Sequence, residues 1–339
     1  MNSVCNHQKA LMASEPILQD RFGRHVEYLR LSVTDRCDLR CTYCIPEGYK
    51  GFEEPELWLS FDEIERVIGA FARLGVSKIR LTGGEPLTRR NLPDLARRLS
   101  AIEGVKDLSL STNATQLAKH AVELKKAKIS RLNISLDSLN PERFSQIVRR
   151  DCLDQVLAGL MAAKEAGFAP IKINMVVMAG VNDDEIDGMV EFCIQHDFTL
   201  RMIETMPMGE TGRNAQYLDL QPVKARLQRR FGLIDGVMAG GGPARYLKSP
   251  DGAFTVGFIT PMSQHFCDTC NRVRLSVDGT LYMCLGQDES LALRPLLRAG
   301  ASDGELVAAI RAAIELKPER HEFREKPGQV VRFMSLTGG

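Results

Sequence analysis

Three cysteines stand in the run Arg36-Cys37-Asp38-Leu39-Arg40-Cys41-Thr42-Tyr43-Cys44, a C-x3-C-x2-C pattern. Thiolates this close can hold three corners of a four-iron cubane, whose usual complement is four cysteines. With one protein ligand missing, one iron is free to bind something else, and an open coordination position implies chemistry rather than structure. A second trio, Cys267, Cys270 and Cys284, has C-x2-C-x13-C spacing. It can carry zinc, with His265 as the nearby fourth donor, or a second cluster with its own open iron. Two separate trios in one chain favour the cluster. Between these cysteines lies Asn271-Arg272-Val273-Arg274, where an extended backbone points Arg272 and Arg274 the same way. Two guanidinium forks on one face suit a phosphate or a carboxylate.

The elements that must position these groups are legible from periodicity. Ser60-x-x-Glu63 is a capping box, followed by Phe61, Ile64, Val67, Ile68, Phe71 and Leu74 at helical spacing. Two further apolar stripes run through Leu153–Met161 and Ile186–Ile194. Between helical stretches lie predicted strands at 29–34, 78–82, 107–111, 131–137, 171–178 and 199–205, an alternation that argues for a parallel α/β sheet. Parallel strands covered on both faces are almost wholly apolar. These alternate instead: Arg30, Ser32, Arg80, Ser109, Ser111, Asn133, Ser135, Lys172 and Asn174 interleave with Leu, Ile, Val and Met. One sheet face is therefore expected to line a polar, partly cationic cavity, as in an incomplete barrel whose bore holds a ligand. Leu81-Thr82-Gly83-Gly84-Glu85-Pro86 leaves the second strand directly, with two glycines that let a ligand approach the backbone. Beyond Met206 the pattern becomes turn-rich, and Gly240-Gly241-Gly242-Pro243 marks a linker or loop.

Hydrophobic residues make up 44% of the 339, enough for a sizeable core, and a net charge of +1 gives no global attraction to nucleic acid or membrane. No apolar run is long enough to span a bilayer. Nine cysteines, six of them in two tight groups, fit metal-bound thiolates in a reducing compartment better than a disulfide framework, so a cytoplasmic location is expected. The expected divisions are a disordered tail over 1–20, a barrel over 21–240 and a C-terminal domain with the second trio over 241–339.

The first trio with Tyr43 before its last cysteine, followed by Gly83-Gly84-Glu85-Pro86, resembles the radical S-adenosylmethionine superfamily. Within it, about residues 22–339 resemble the molybdenum cofactor biosynthesis protein A family, the GTP 3′,8-cyclases. The stretches that carry the likeness are Leu29–Cys37, Ile79–Leu87, Asn133–Ser138, Phe266–Leu275 and the terminal Gly338-Gly339. The resemblance implies a partial (β/α)6 TIM-like barrel with a C-terminal lobe carrying a second iron–sulfur cluster. It implies two [4Fe-4S] clusters, on Cys37, Cys41 and Cys44 and on Cys267, Cys270 and Cys284. The backbone of Tyr43, Gly84, Ser135 and Met206 would line S-adenosylmethionine. Arg30, Arg80, Ser111, Lys172, Arg272, Val273 and Arg274 would hold GTP, and Arg272, Arg274, Gly338 and Gly339 would serve catalysis.

The implied reaction joins the GTP ribose to guanine C8, the first step of molybdopterin synthesis. It needs an electron donor and delivers product to the next enzyme of that pathway, with the chain a monomer or homodimer. A different radical S-adenosylmethionine enzyme, acting on a peptide or sugar, is the alternative. Departures from the family pattern are Ala114 where a glycine is usual, Ile45 for a methionine, and Thr337 near the tail. Alanine tolerates positive φ less well than glycine, so the 112–114 turn is the place where local geometry is expected to suffer.

Overall fold

The computed structural model describes residues 17–238 and 240–338. Six strands, β1 (Tyr28–Ser32), β2 (Lys78–Thr82), β3 (Asp107–Thr112), β4 (Arg131–Ser135), β5 (Ile171–Val177) and β6 (Thr199–Glu204), pair in chain order and all in parallel. Between them run α1 (Phe61–Arg73), α2 (Leu92–Ser100), α3 (Leu117–Lys126), α4 (Pro141–Val148), α5 (Leu153–Glu165) and α6 (Ile186–Gln195). The capping box at Ser60 forms: its side chain accepts from the Glu63 amide while the Glu63 carboxylate accepts from the Ser60 amide. Ile64, Val67, Ile68 and Phe71 then bury one face of α1. The apolar side chains of the strands, such as Leu29, Leu31, Ile79, Leu81, Leu132 and Ile134, are fully buried in the same core. Their alternate neighbours form the polar inner face that periodicity anticipates.

The C-terminal part adds α7 (Gly209–Asn214), α8 (Leu220–Phe231), β7 (Ile234–Gly236), β8 (Arg245–Lys248), β9 (Thr255–Ile259), β10 (Arg272–Leu275), β11 (Thr280–Tyr282), β12 (Ser290–Ala292), α9 (Arg294–Arg298), α10 (Asp303–Ile314) and α11 (Met334–Thr337). Its strands join the same sheet. β10 pairs in parallel with β1 at one edge, and β9 pairs in parallel with β6 at the other. The sheet order is β12-β11-β10-β1-β2-β3-β4-β5-β6-β9-β8-β7. Eight parallel strands therefore stand where six are predicted, and β9 and β10 remain unpaired with each other, so the barrel stays open. Periodicity misses both added strands because they are short and no amphipathic helix follows them into a parallel neighbour.

The expected tail over 1–20 falls mostly outside the described residues. Its last residues are packed: Leu18 is 1% exposed, and Asp20 is buried against Arg24. Residues 17–20 thus belong with the barrel, because Leu18 packs into the core and its amide pairs with the Leu74 carbonyl at 3.0 Å.

Candidate active site

The loop that carries the first trio is built by backbone pairing between two strand exits. The Gly84 amide donates to the Thr34 carbonyl, and the Glu85 amide to the Arg36 carbonyl, both at 2.8 Å. A Cβ on Gly83 would lie 2.4 Å from the Thr34 oxygen, and one on Gly84 2.2 Å from the Arg36 oxygen. The glycine pair is thus required for this approach, which sets Cys37 at the end of β1. From there the loop runs along the end of α4, with the amides of Arg40 and Thr42 donating to the carbonyls of Val148 and Ile147.

Glu85 acts as a clip between loops. Its buried carboxylate accepts from the Thr112 hydroxyl and the Asn113 amide at 2.7 Å and from the Leu87 amide at 3.0 Å. Asn113 and Thr115 in turn donate to Asp38, at 2.8 and 2.7 Å. Burial raises the Glu85 carboxyl to about 7 against the pull of those donors. The turn at Ala114 keeps a left-handed φ of 63° despite its side chain. Its amide is held by the Thr112 hydroxyl at 3.0 Å, and Gly159 on α5 gives it room, since a Cβ there would lie 2.5 Å from the Ala114 oxygen. The departure at this position is therefore absorbed locally. Tyr43 donates its hydroxyl to Asp137 at 2.8 Å, and the Val176 amide donates to the same carboxylate. Burial lifts Asp137 to about 6.

One cavity along the inner face of the sheet brings the expected groups together. All six cysteines of the two trios line it, with Tyr43, Gly84, Ser135 and Met206, and with Arg30, Arg80, Ser111, Arg272, Val273 and Arg274. Lys172 is not on its wall: it is buried on the inner face of β5, with its ammonium 5.7 Å from the centre of the Tyr246 ring. Gly338 is beside the cavity wall, where a Cβ would lie 2.0 Å from the Thr82 hydroxyl. Arg274 donates to the carbonyls of both Thr337 and Gly338. Gly339 lies outside the described residues.

Periodicity puts Asp137 on the polar face with Asn133 and Ser135, and it lines the wall; two further members, Tyr28 and His321, it does not single out. Alternation with Arg30 could have flagged Tyr28; His321 follows the last long helix in a segment with no periodic signal.

The electrostatics mark the inner face as a site for an anion. Burial lowers Arg201 to about 10 and Lys172 to about 7, with neighbouring arginines adding to both shifts. Burial and then Arg272 bring Arg274 down to about 9. Cations that depress one another in this way are relieved by a negative ligand. The Tyr28 hydroxyl, Ser111 Oγ and Ser335 Oγ are buried on the cavity wall with no hydrogen-bond partner among the described residues. Such orphaned groups call for a polar ligand.

The donor sets fit iron–sulfur clusters. All six thiols are free and face one cavity. Burial pushes those of the first trio up, Cys44 to about 12. In the second trio burial pushes Cys270 up as well, but Lys317 and Arg272 outweigh it and bring the thiol down to about 6. His265, the sequence candidate for a fourth zinc ligand, is exposed and does not line the cavity. Among the described residues, no three His, Cys, Asp or Glu side chains are grouped to hold a single metal ion.

Comparison with known proteins agrees with this geometry. Residues 31–193 match the Radical SAM superfamily, and residues 198–323 match Molybdenum Cofactor Synthesis C. The chain is 48% identical to a GTP 3′,8-cyclase of Ectopseudomonas mendocina (strain ymp), over 95% of this chain and 98% of that one. It is 47% identical to GTP 3′,8-cyclase 2 of Pseudomonas aeruginosa, over 96% and 100%, and 47% identical to a GTP 3′,8-cyclase of Rhizobium etli, over 94% of each. Among solved structures, Streptococcus suis SuiB bound to S-adenosylmethionine shares the fold, with a TM-score of 0.62 at 15% identity, covering 91% of this chain and 77% of that one. Among the described residues no helix is long and apolar enough to cross a membrane. The two matched regions, in order and with near full-length relatives, show that the chain belongs to the GTP 3′,8-cyclase family of the radical SAM superfamily.

Proposed function

We propose that the chain is a GTP 3′,8-cyclase and that one cavity serves both halves of the reaction. The observation that carries the reading is the shared wall: two three-cysteine sets and a group of mutually repelling arginines face the same space. Cys37, Cys41 and Cys44 would hold one [4Fe-4S] cluster, and Cys267, Cys270 and Cys284 the other. The backbone at Tyr43, Gly84, Ser135 and Met206 would line S-adenosylmethionine. When bound, the first cluster and S-adenosylmethionine would supply the hydrogen-abstracting radical chemistry at the ribose 3′ position that lets that carbon join guanine C8.

The chain's own residues bind, orient and enclose. Arg30, Arg80, Arg272 and Arg274 present fixed guanidinium groups to a triphosphate, which confined cations hold with little reorganisation. Ser111 supplies an unpartnered hydroxyl on the same wall, and Lys172 adds charge from behind it. Val273 contributes its backbone between the two arginines. Gly338, drawn in by Arg274, brings a side-chain-free backbone against Thr82, and it would serve catalysis together with Gly339. The reading carries with it a cytoplasmic location, a separate electron donor, transfer of the product to the next enzyme of molybdopterin synthesis, and a monomer or homodimer.

The test is incubation of the anaerobically purified chain with GTP, S-adenosylmethionine and a reductant, followed by mass analysis. Formation of cyclised GTP with stoichiometric 5′-deoxyadenosine is expected, along with about eight iron atoms per chain. A colourless zinc protein that leaves GTP unchanged refutes the reading.

A further inference from the structure

Lys317 follows α10 and is 1% exposed. Lysine is almost never fully buried unless its charge is compensated. Its Nζ donates to the Arg272 carbonyl at 2.9 Å, to the Met283 carbonyl at 2.8 Å and to Cys270 Sγ at 3.6 Å. Three acceptors match the three N–H groups of an ammonium. Two of them are neutral carbonyls, and among the described residues no carboxylate pairs with Lys317. The remaining partner, a cysteine sulfur of the second trio, is the one that becomes anionic when it ligates metal.

The placement of those acceptors matters as much as the charge. Arg272 lies two residues after Cys270, and Met283 immediately precedes Cys284. A single ammonium therefore bridges the two chain segments that bring Cys270 and Cys284 to the cavity. The segment after Lys317 is fixed in turn by Arg24, which donates to the carbonyls of Pro318 and Glu319, both at 2.6 Å, and to the carbonyl of Cys267 at 2.9 Å. The third cysteine is thereby tied to the same frame. Asp20 holds the Arg24 guanidinium at 2.6 Å, so that cation is already compensated. Lys317 is not.

We propose that Lys317 is a positioning residue for the second cluster: a strut that sets the separation of its cysteine-bearing segments and the fixed counter-cation of its thiolates. A buried anionic centre is costly without a nearby positive charge. Hydrogen bonds to cluster sulfurs are a recognised lever on reduction potential, and removing a positive neighbour favours the less negative, oxidised form. The inference rests on the reading that the second trio carries a cluster.

The test replaces the first trio with serine, so that only the second centre is loaded, and then compares the parent with Lys317→Met and Lys317→Gln. Iron content, far-ultraviolet circular dichroism and an anaerobic redox titration followed by electron paramagnetic resonance are read for each. With the cluster retained, a more negative midpoint and altered resonance in both variants are expected, because both lack the charge. If folded Lys317→Met loses its roughly four irons while Lys317→Gln, which keeps two N–H donors, retains them at a lower potential, the strut and the counter-charge are both supported. Should Lys317→Met fail to fold, the potential of Lys317→Gln decides. Full iron with the parent's midpoint in the folded variants overturns the inference. A parent with no iron at the second trio instead overturns the cluster reading beneath it.

Discussion

Arg274 donates from one guanidinium nitrogen to the carbonyl of Gly338, 64 residues further along the chain, with the Thr337 carbonyl accepting from the same nitrogen at 3.2 Å. The contact is buried and draws the end of the chain against β2, where a Cβ on Gly338 would lie 2.0 Å from the Thr82 hydroxyl. An arginine from β10 thus seats a tail that only glycine fits.

Deleting Gly338 and Gly339 is expected to lower cyclisation by about 100-fold or more, as misplacement by an ångström does in a preorganised site. Both clusters and cleavage of S-adenosylmethionine should survive, because the deletion removes none of the six cysteines and leaves Ser335, whose backbone meets the Cys44 thiol, in place. Product and 5′-deoxyadenosine quantified in the same reaction check this. Full cyclisation by the truncated chain contradicts a role for the tail.

If Arg274 works partly by seating Gly338, the two changes are not independent. A cycle of Arg274→Ala, tail deletion and the double variant should show a combined loss well below the product of the single losses. Multiplying losses would mean that arginine and tail act separately.

Arg272 lines the cavity with its guanidinium 5.0 Å from the centre of the Phe266 ring, and among the described residues it makes no hydrogen bond to the tail. Arg272→Ala is expected to weaken GTP binding by roughly 1.5–3 kcal/mol, the range for a hydrogen bond to a charged group. Cleavage of S-adenosylmethionine should persist. Equilibrium dialysis with labelled GTP reads the first effect, and equal affinity in variant and parent would rule out a phosphate contact.

Lys172 gives a pH dependence with a definite sign. Its folded value of about 7 lies below the ordinary lysine value of 10.5. Between those values the unfolded chain holds a proton that the folded one has lost, so stability of the empty protein rises with pH across this window. A triphosphate favours the protonated form, so GTP binding takes up a proton and its affinity should fall as pH rises from about 7 toward 9. Lys172→Met should flatten that slope. Affinity that does not change with pH in the parent would place the triphosphate out of reach of this charge.

Glu85 accepts three hydrogen bonds in the core. Glu85→Ala orphans the Thr112, Asn113 and Leu87 donors and is expected to destabilise the fold by roughly 1–3 kcal/mol for each donor that water cannot reach. Urea unfolding of the metal-free protein measures this apart from any cluster. A parent-like midpoint would mean that the loops around Asp38 and Asn113 hold together without it.

The local patterns were readable from the chain alone. Cysteine spacing singles out the two trios that meet in one cavity, Gly83-Gly84 announces a close backbone approach, and Ser60 with Glu63 starts α1 where the capping box says it must. The alternation of Arg30, Arg80, Ser111 and Asn174 with aliphatic residues already describes a wet inner face, because side-chain direction in a strand is a two-residue property. What distance along the chain conceals is which segments meet. Nothing in residues 255–275 says that β9 and β10 join opposite edges of the barrel sheet, because strand pairing is decided by long-range packing. Lys317 sits in an ordinary Leu-Lys-Pro stretch, and its bonds to Cys270, Arg272 and Met283 exist only once α10 has docked. Lys172 shares the alternation of its neighbours yet stops short of the cavity wall, because its depth in the bore depends on how the strands stack. Periodicity governs which way a residue faces; folding alone determines what it faces.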